Sequence, residues 1–256
     1  MRPHQQESGH ILLSLTARGN ANDGVIPWLR PGDEFPPLSR ALSEPNGLLA
    51  AGGDLATSTL LRAYRLGIFP WFGDDDPILW WSPDPRMVLF PEELHVSRSM
   101  RKTLRSGQFE VTADREFLHV IRACRQPRDG IDGTWITEQM VDAYLELHRA
   151  GYAHSIETWI DGELAGGLYG VAIGRAFFGE SMFTRVTDAS KIALITLTRL
   201  LGAWQFGLID CQMRTEHLAT FGAREIPRAR FAQLLADLVD YGPAPGPWKL
   251  SVDAGV

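Results

Sequence analysis

Residues 154–183, HSIETWIDGELAGGLYGVAIGRAFFGESMF, contain three strand-like runs separated by two turn signals, Asp161–Gly162 and Gly174–Arg175. Residue pairs of this kind between strand-like runs favour tight hairpin turns. The segment therefore predicts an antiparallel meander of three strands. A sheet must bury its apolar surface against another layer, so the meander restricts the chain to folds in which helices or further strands cover it.

Helical patterns surround the meander. We expect helices in SRSMRKTLRSG, REFLHVIRACRQ and TEQMVDAYLELHRAGY and over residues 188–206 and 228–241. Further strands are expected at FEVTAD and GLIDCQM, and FGDDDPILWWSPDPRMVLF is turn-rich and then strand-like. Another helix is expected to begin near Asp54 or Thr57, either of which is a suitable N-cap. This order indicates an α+β fold compatible with an N-acyltransferase-like domain, in which a central, mostly antiparallel sheet is flanked by helices. We predict a small N-terminal domain (residues 1–84, with an irregular extension over residues 1–34) and a main domain (residues 85–256).

Composition excludes several classes of protein. No apolar run approaches the roughly 20 residues that a membrane-spanning helix needs, and the N-terminal sequence is a poor secretion signal. The two cysteines, Cys124 and Cys211, lie in no metal-ligand spacing. A cytoplasmic protein without a disulfide framework or a metal site is therefore expected.

Charge is distributed unevenly along the chain. The formal net charge is −6, yet residues 95–129 contain eight bases and four acids. A solvated helix surface is the ordinary explanation for such a basic stretch, and contact with phosphates is the alternative.

Two carboxylates interrupt apolar, strand-like runs. Glu180 lies in AFFGESMF and Asp210 in GLIDCQM, each beside a neutral polar residue, Ser181 or Gln212. Because side chains alternate along a strand, Asp210 and Gln212 should share one face of the sheet. A buried carboxylate needs a partner or a use, so a structural ion pair and a functional site both remain open. Glu157 in HSIETW is a third candidate, although a cross-strand pair explains it equally well.

Tryptophans occur in turn-rich segments. The chain has eight, and Trp71 in GIFPWF and Trp135 in GTWIT lie beside glycine or proline. Aromatic side chains in such positions stack on unpaired nucleobases, at about 1–3 kcal/mol per base, or simply pack in the core. The residues alone leave both interpretations open.

Familiar catalytic templates are absent from the sequence. It has no GxSxG nucleophile elbow, no GxxxxGK[ST] phosphate loop and no HExxH zinc motif. GLYGVAIG lacks the strand–GxGxxG–helix context and is assigned to the hairpin instead. The Q/R-x-x-G-x-G/A loop that holds the coenzyme A pyrophosphate in acetyltransferases is also missing. An N-acyltransferase without that loop needs a different acyl donor.

A set of ordered motifs identifies a family. GLLAAGGDL, LLRAYRLGIFPWF, PILWWSPDPRMVL, GTWIT, FFGESMF, DASKIAL and LIDCQ closely resemble leucyl/phenylalanyl-tRNA–protein transferases over about residues 35–231. Members of that family transfer Leu or Phe, sometimes Met, from aminoacyl-tRNA to the α-amino group of proteins beginning with Arg or Lys, which are then degraded. The resemblance implies Leu-tRNA or Phe-tRNA as donor, such proteins as acceptors, no cofactor and no membrane partner. It also accounts for the missing coenzyme loop, and we expect a monomer.

The resemblance also implies roles for individual residues. Asp210 and Gln212 match the catalytic pair, Glu180 matches a carboxylate of the same site, and Trp71 and Trp135 match the aromatics that hold the terminal adenosine. The pocket for the donor side chain is expected at Leu168, Ser181, Leu194, Leu197 and Leu201. Some relatives have Met or Phe where this chain has these leucines, so the preference between Leu and Phe stays open. Phosphate contacts are expected from Arg98, Arg101, Lys102 and Arg105.

Two other classes of function also fit parts of this pattern. An aminoacyl-tRNA-dependent transferase acting on a cell-wall precursor would share the donor and the fold. A non-enzymatic tRNA-binding protein would need only the tryptophans and the basic helix, and would leave Asp210 and Glu180 as structural acids.

Overall fold

A computed structural model describes residues 26–126, 136–242 and 245–250. The first of two sheets has the strand order β1-β2-β4-β3. Its strands are β1 (Trp28–Leu29), β2 (Leu48–Gly52), β3 (Phe69–Pro70) and β4 (Leu79–Trp81). Helix α1 (Thr57–Arg65) connects β2 to β3.

The second sheet has seven strands in the order β11-β5-β10-β9-β8-β7-β6. They are β5 (Arg86–Leu89), β6 (Glu110–Ala113), β7 (Ala153–Ile160), β8 (Glu163–Ile173), β9 (Ala176–Thr184), β10 (Leu208–Gln212) and β11 (Arg224–Ile226). Strands β9 and β10 are parallel, whereas the other neighbours are antiparallel. The mostly antiparallel sheet and its meander, β7-β8-β9, are therefore as predicted.

Helices cover both faces of this sheet. The remaining helices are α2 (Arg98–Ser106), α3 (Phe117–Arg125), α4 (Glu138–Arg149), α5 (Ala189–Ala203), α6 (Glu216–Ala219) and α7 (Arg228–Leu238). Side chains of α1, α3, α4 and α7 belong to one apolar cluster, and those of α2 and α5 belong to a second one. The predicted α+β fold is confirmed, and the sheet separates the two clusters.

Glycines in β8 allow two close approaches that build the second cluster. A Cβ atom on Gly166 would lie 2.7 Å from Cβ of Ala189, where α5 begins. A Cβ atom on Gly170 would lie 2.5 Å from the ring of Phe177 on β9. The GGLYG sequence thus serves the packing of the hairpin, in agreement with its assignment from sequence.

Several details differ from the sequence predictions. Helix α1 has Ala56 as its N-cap, and Asp54 instead accepts a hydrogen bond from the Ala56 amide at 3.0 Å. The short elements α6 and β11 were not predicted. Most of the expected irregular extension lies outside the described residues, and Trp28–Leu29 within it forms β1. The domain division after residue 84 stays a prediction. Among the described helices, none has the length and apolar character to cross a membrane.

Candidate active site

Strands β9 and β10 separate after three paired residues. Their pairing runs from Leu208 and Ala176 to Asp210 and Phe178, while β9 continues to Thr184. Gln212, at the end of β10, has a positive φ of 62°, and the register with β5 shifts between Asp210 and Gln212. The two strands therefore diverge where residues 179–181 of β9 lie beside residues 210–212 of β10. We call this gap the opening between β9 and β10.

Glu180 lies at this opening and is almost fully buried. Its Oε1 accepts hydrogen bonds from the Tyr64 hydroxyl at 2.7 Å and from Nε2 of Gln212 at 3.2 Å. Its Oε2 accepts one from the Tyr144 hydroxyl at 3.0 Å. The two tyrosine hydroxyls are also hydrogen-bonded to each other. Partners from α1, α4 and β10 thus fix one carboxylate.

Burial raises the pKa of Glu180 from its ordinary value of 4.5 to about 7. The hydrogen bonds from Tyr64 and Tyr144 oppose this effect, nearby Asp210 adds to it, and Arg86 opposes it. Burial also raises the pKa of both tyrosines well above the ordinary value, so they remain neutral hydrogen-bond donors. Glu180 can therefore exchange a proton near neutral pH, which suits a general acid or base.

Asp210 is held in a different way, by a buried ion pair. Its Oδ1 accepts from Nε of Arg86 at 2.8 Å, and its Oδ2 accepts from Nη2 at 2.6 Å. Both side chains are at most 1% exposed. The guanidinium lies 4.8 Å from the ring of Phe69 and 4.7 Å from that of Phe231. The two rings restrict the guanidinium of Arg86, and its two hydrogen bonds fix the orientation of the Asp210 carboxylate.

Gln212 joins the two carboxylates. Its backbone N–H donates to Oδ1 of Asp210 at 2.9 Å, and its side chain donates to Glu180. Asp210 and Gln212 share one face of the sheet, while Ile209 and Cys211 pack on the other, as strand alternation predicts. The structure thus brings together the three polar residues that the sequence singled out. We call Asp210, Gln212, Glu180, Arg86, Tyr64 and Tyr144 the split-strand cluster.

Three members of this cluster were not found from the sequence. Arg86 is a charged residue at the start of the apolar strand RMVL, so the reasoning applied to Asp210 would have found it. Tyr64 lies among the buried residues of α1, and Tyr144 lies among those of α4. Nothing in the sequence distinguishes these two hydroxyls from those of ordinary core tyrosines.

The expected pocket residues lie on the opposite face of the sheet. Leu194, Leu197 and Leu201 follow one face of α5 because their spacing is helical, and Leu168 on β8 belongs to the same apolar cluster. All four are nearly inaccessible to solvent. Ser181, next to Glu180 on β9, is half-buried. Among the expected pocket residues, Ser181 is thus directly adjacent in sequence to the split-strand cluster.

Trp71 directly follows β3 and is half-buried. Its ring lies edge-on to Trp81 with 5.3 Å between centroids, and the Trp81 indole donates to the Trp71 carbonyl oxygen at 2.7 Å. The indole nitrogen of Trp71 is buried without a hydrogen-bond partner among the described residues. Trp135 lies outside the described residues.

The predicted basic helix is α2. Its N-cap is Ser97, whose Oγ accepts from the Met100 amide at 3.2 Å, and Gly107 ends it with a positive φ of 63°. Met100 and Leu104 are buried, whereas Arg98, Arg101, Lys102 and Arg105 are exposed. None of these four bases forms an ion pair with an acid in the described part of the chain. They form an unneutralised cationic surface.

Glu157 belongs to a separate group that we call the edge cluster, formed by Asp114, Glu157, His154, Ser155 and Thr112. Glu157 accepts from the hydroxyl of Thr112, its strand partner, at 2.6 Å, and from the Ser155 hydroxyl. Asp114 accepts from His154 and from the Ser155 amide. These contacts join neighbouring strands at one edge of the sheet and favour a structural role for Glu157. In the described ranges, no three His, Cys, Asp or Glu side chains are placed to hold a metal ion.

Comparisons with known proteins identify the family of this chain. The family described as leucyl/phenylalanyl-tRNA protein transferase matches residues 88–236, and its N-terminal domain matches residues 53–84. A leucyl/phenylalanyl-tRNA–protein transferase of Nitrosospira multiformis is 63% identical over 85% of this chain and 94% of its own. That of Stutzerimonas stutzeri is 58% identical over 88% of this chain and 100% of its own.

Among solved structures, similarity extends to that of L-PGS from Bacillus licheniformis. It is 13% identical, with a TM-score of 0.34, over 67% of this chain and 57% of that chain. This similarity is too weak to support an argument about function. The matches to sequences are strong, and the chain belongs to the leucyl/phenylalanyl-tRNA–protein transferase family of aminoacyltransferases.

Proposed function

We propose that the protein transfers Leu or Phe, and possible minor donors such as Met, from aminoacyl-tRNA to the α-amino group of proteins beginning with Arg or Lys. The product then carries an N-terminal residue that leads to degradation. The protein acts in the cytoplasm as a monomer, without a cofactor, and residues 85–256 form its catalytic domain. The observation that carries this proposal is the joining of Glu180, Gln212 and Asp210 at the opening between β9 and β10.

The reaction requires little activation of the donor. Aminoacyl-tRNA is an ester, and an α-amino group has a pKa of about 8, so a modest base suffices to deprotonate it. The amine attacks the ester carbonyl carbon, the C–N bond forms, and the bond to the 3′ oxygen of the terminal adenosine breaks. One proton leaves the amine and one must reach the departing oxygen.

We assign the proton transfer to Glu180, which has a pKa of about 7. Both oxygens of Asp210 are engaged by Arg86, so Asp210 is better suited to orient Gln212 than to accept the proton itself. Gln212 links the two carboxylates and positions the amine. The negative charge of the ionised site also attracts the cationic acceptor N-terminus.

The donor is held by three further parts of the molecule. The apolar face formed by Leu168, Leu194, Leu197 and Leu201, with Ser181 at its rim, receives the Leu or Phe side chain. Trp71, together with Trp135, stacks on the terminal adenosine. The exposed bases of α2, Arg98, Arg101, Lys102 and Arg105, contact tRNA phosphates without reading the sequence.

A transfer assay tests the proposal. Labelled Leu-tRNA or Phe-tRNA is incubated with one peptide beginning with Arg and with a matched peptide beginning with Ala. Label is expected to enter the Arg peptide at its α-amino group and to remain absent from the Ala peptide. Transfer to a cell-wall precursor with none to the Arg peptide would contradict the assigned acceptor, and tRNA binding without transfer would contradict the assigned catalytic cluster.

The pocket has its own test. Leu201→Ala enlarges the proposed pocket, so the ratio of kcat/KM for Phe-tRNA to that for Leu-tRNA is expected to rise, since a single methylene changes discrimination by about tenfold or more. An unchanged ratio in the folded variant would exclude this face as the donor pocket.

A further inference from the structure

A short segment near the C-terminus is attached to the back of the second apolar cluster. The Gly246 amide donates to the Gly151 carbonyl oxygen at 3.1 Å, and the Trp248 amide donates to Oδ2 of Asp114 at 2.7 Å. The Trp248 side chain is only 9% exposed. Six residues without regular secondary structure, 245–250, are thus held at two backbone positions and by one large buried ring.

The Trp248 ring is enclosed by aromatic side chains from three elements. It stacks on His154 with 3.9 Å between centroids and an interplanar angle of 6°. It meets Trp204 edge-on at 5.1 Å and Phe177 at 5.8 Å, and Phe206 lies 6.4 Å away. A buried indole with four ring neighbours is a rigid support, because each neighbour restricts its position.

Two of these neighbours connect Trp248 to the leucines of the proposed donor pocket. Trp204 is the residue after α5 and continues the helical spacing of Leu194, Leu197 and Leu201 by three positions. Phe177 on β9 belongs to the same apolar cluster as those leucines and as Leu168. Its ring lies across Gly170, two residues beyond Leu168 on β8. Trp248 therefore supports the C-terminal end of α5 and strand β9, which both pack in the apolar cluster that contains the pocket leucines.

We propose that Trp248 is a positioning residue that sets the size of the donor side-chain pocket from behind, and so determines the preference between Leu and Phe. This inference rests on the proposed donor pocket. Trp248 lies behind Phe177 and the C-terminal end of α5 and touches no reacting group. Trp248 limits how far Phe177 and the end of α5 can move when the larger side chain of Phe enters the donor pocket.

The test compares donors in one variant. Replacing Trp248 by Ala leaves a cavity that its neighbours fill only in part. Phe177 and Trp204 then gain room, and the Phe-to-Leu ratio of kcat/KM is expected to rise roughly fivefold. The KM for the Arg-starting peptide should stay within about twofold, since the split-strand cluster lies on the other face of the sheet. Trp248→Phe retains a ring and should give a smaller shift.

Trp159→Ala is the matched control. Trp159 is a half-buried tryptophan of β7 that donates to Thr112 and stacks with Arg115, and it contacts neither Trp248 nor the four leucines through any ring or hydrogen bond described for it. In Trp159→Ala, the Phe-to-Leu ratio of kcat/KM should remain that of the unaltered protein. Circular dichroism confirms that each variant is folded, and if Trp248→Ala does not fold, Trp248→Phe and Trp248→Leu provide the comparison.

The outcomes separate this inference from the proposed pocket. If Leu201→Ala changes the ratio and the folded Trp248 variants do not, Trp248 is only a structural residue and the inference fails. An equal shift in Trp159→Ala would also overturn it, because the effect would then be general destabilisation. If Leu201→Ala leaves the ratio unchanged, the pocket itself is wrongly placed.

Discussion

Two groups of buried carboxylates lie in the same seven-stranded sheet, and their surroundings differ. In the edge cluster, Glu157 accepts hydrogen bonds from its own strand, β7, from the neighbouring strand β6 and from the backbone just after β6. In the split-strand cluster, Glu180 accepts hydrogen bonds from two helices, α1 and α4, and from β10. The edge cluster closes a strand pair, whereas the split-strand cluster lies where a strand pair opens.

We propose that this difference separates a structural acid from a catalytic one. Burial raises the pKa of both glutamates. For Glu157 the partners are hydroxyls and a backbone amide, which stabilise the folded strands. The network of Glu180 instead includes an arginine, Arg86, which is bound to Asp210, and the pKa of Glu180 is about 7. Burial alone therefore does not separate the two glutamates, whereas the position of Glu180 at the opening between β9 and β10 does.

The largest expected effect comes from breaking the buried ion pair. Arg86→Met leaves Asp210 buried without its partner, which should lower the free energy of unfolding by about 3–5 kcal/mol. Urea denaturation measures this loss. The double variant Arg86→Met/Asp210→Asn should recover part of the stability but not the activity. If the losses measured for Arg86→Met and for Asp210→Asn alone add up to the loss in the double variant, the two charges are not coupled.

A matched pair of substitutions separates the two clusters by activity. Glu180→Gln removes the proton acceptor and should lower kcat by about 10²-fold or more. Glu157→Gln keeps the shape of a structural acid, so kcat should stay within about twofold while stability falls by about 1–2 kcal/mol. Single-turnover transfer to the Arg-starting peptide measures both. Similar losses of kcat in the two variants would remove the distinction drawn between the clusters.

Dependence on pH gives a sharper test of Glu180. Because its pKa is raised in the folded protein, the folded state binds this proton more tightly than the unfolded state does. Its contribution to stability is therefore fully present below about pH 4.5 and is lost as the pH rises to about 7. Activity should change in the opposite sense and rise as Glu180 ionises near pH 7. In Glu180→Gln, the change in stability should disappear from this range, and the remaining rise in activity should follow the α-amino group of the acceptor, whose pKa is about 8.

The contrast between clusters also shows what the sequence can predict. Turn signals and strand alternation predicted the meander and the shared face of Asp210 and Gln212, because both depend on neighbours in the chain. The ion pair with Arg86 spans 124 residues, and the bonds to Tyr64 and Tyr144 depend on how α1 and α4 pack against the sheet. Local patterns do not contain that information. The motifs implied a site at Glu180, but its partners required the structure.

The smallest expected effect tests whether the tyrosines tune Glu180. Their hydrogen bonds lower its pKa, so Tyr64→Phe or Tyr144→Phe should raise that pKa and move the rise in activity to higher pH. The stability loss should be only about 1 kcal/mol, as for a typical hydrogen bond. Pre-steady-state rates measured across pH would detect the shift.

Tyr169→Phe is the matched control for these two variants. Tyr169 is equally buried and packs edge-on against Tyr144, but its hydroxyl has no hydrogen-bond partner among the described residues. Its removal should leave the pH profile in place. If Tyr169→Phe moved the profile as far as Tyr64→Phe does, the effect would come from packing around Glu180. If none of the three moved it, the group that ionises near neutral pH would not be Glu180, and the split-strand cluster would lose the property that separates it from the edge cluster.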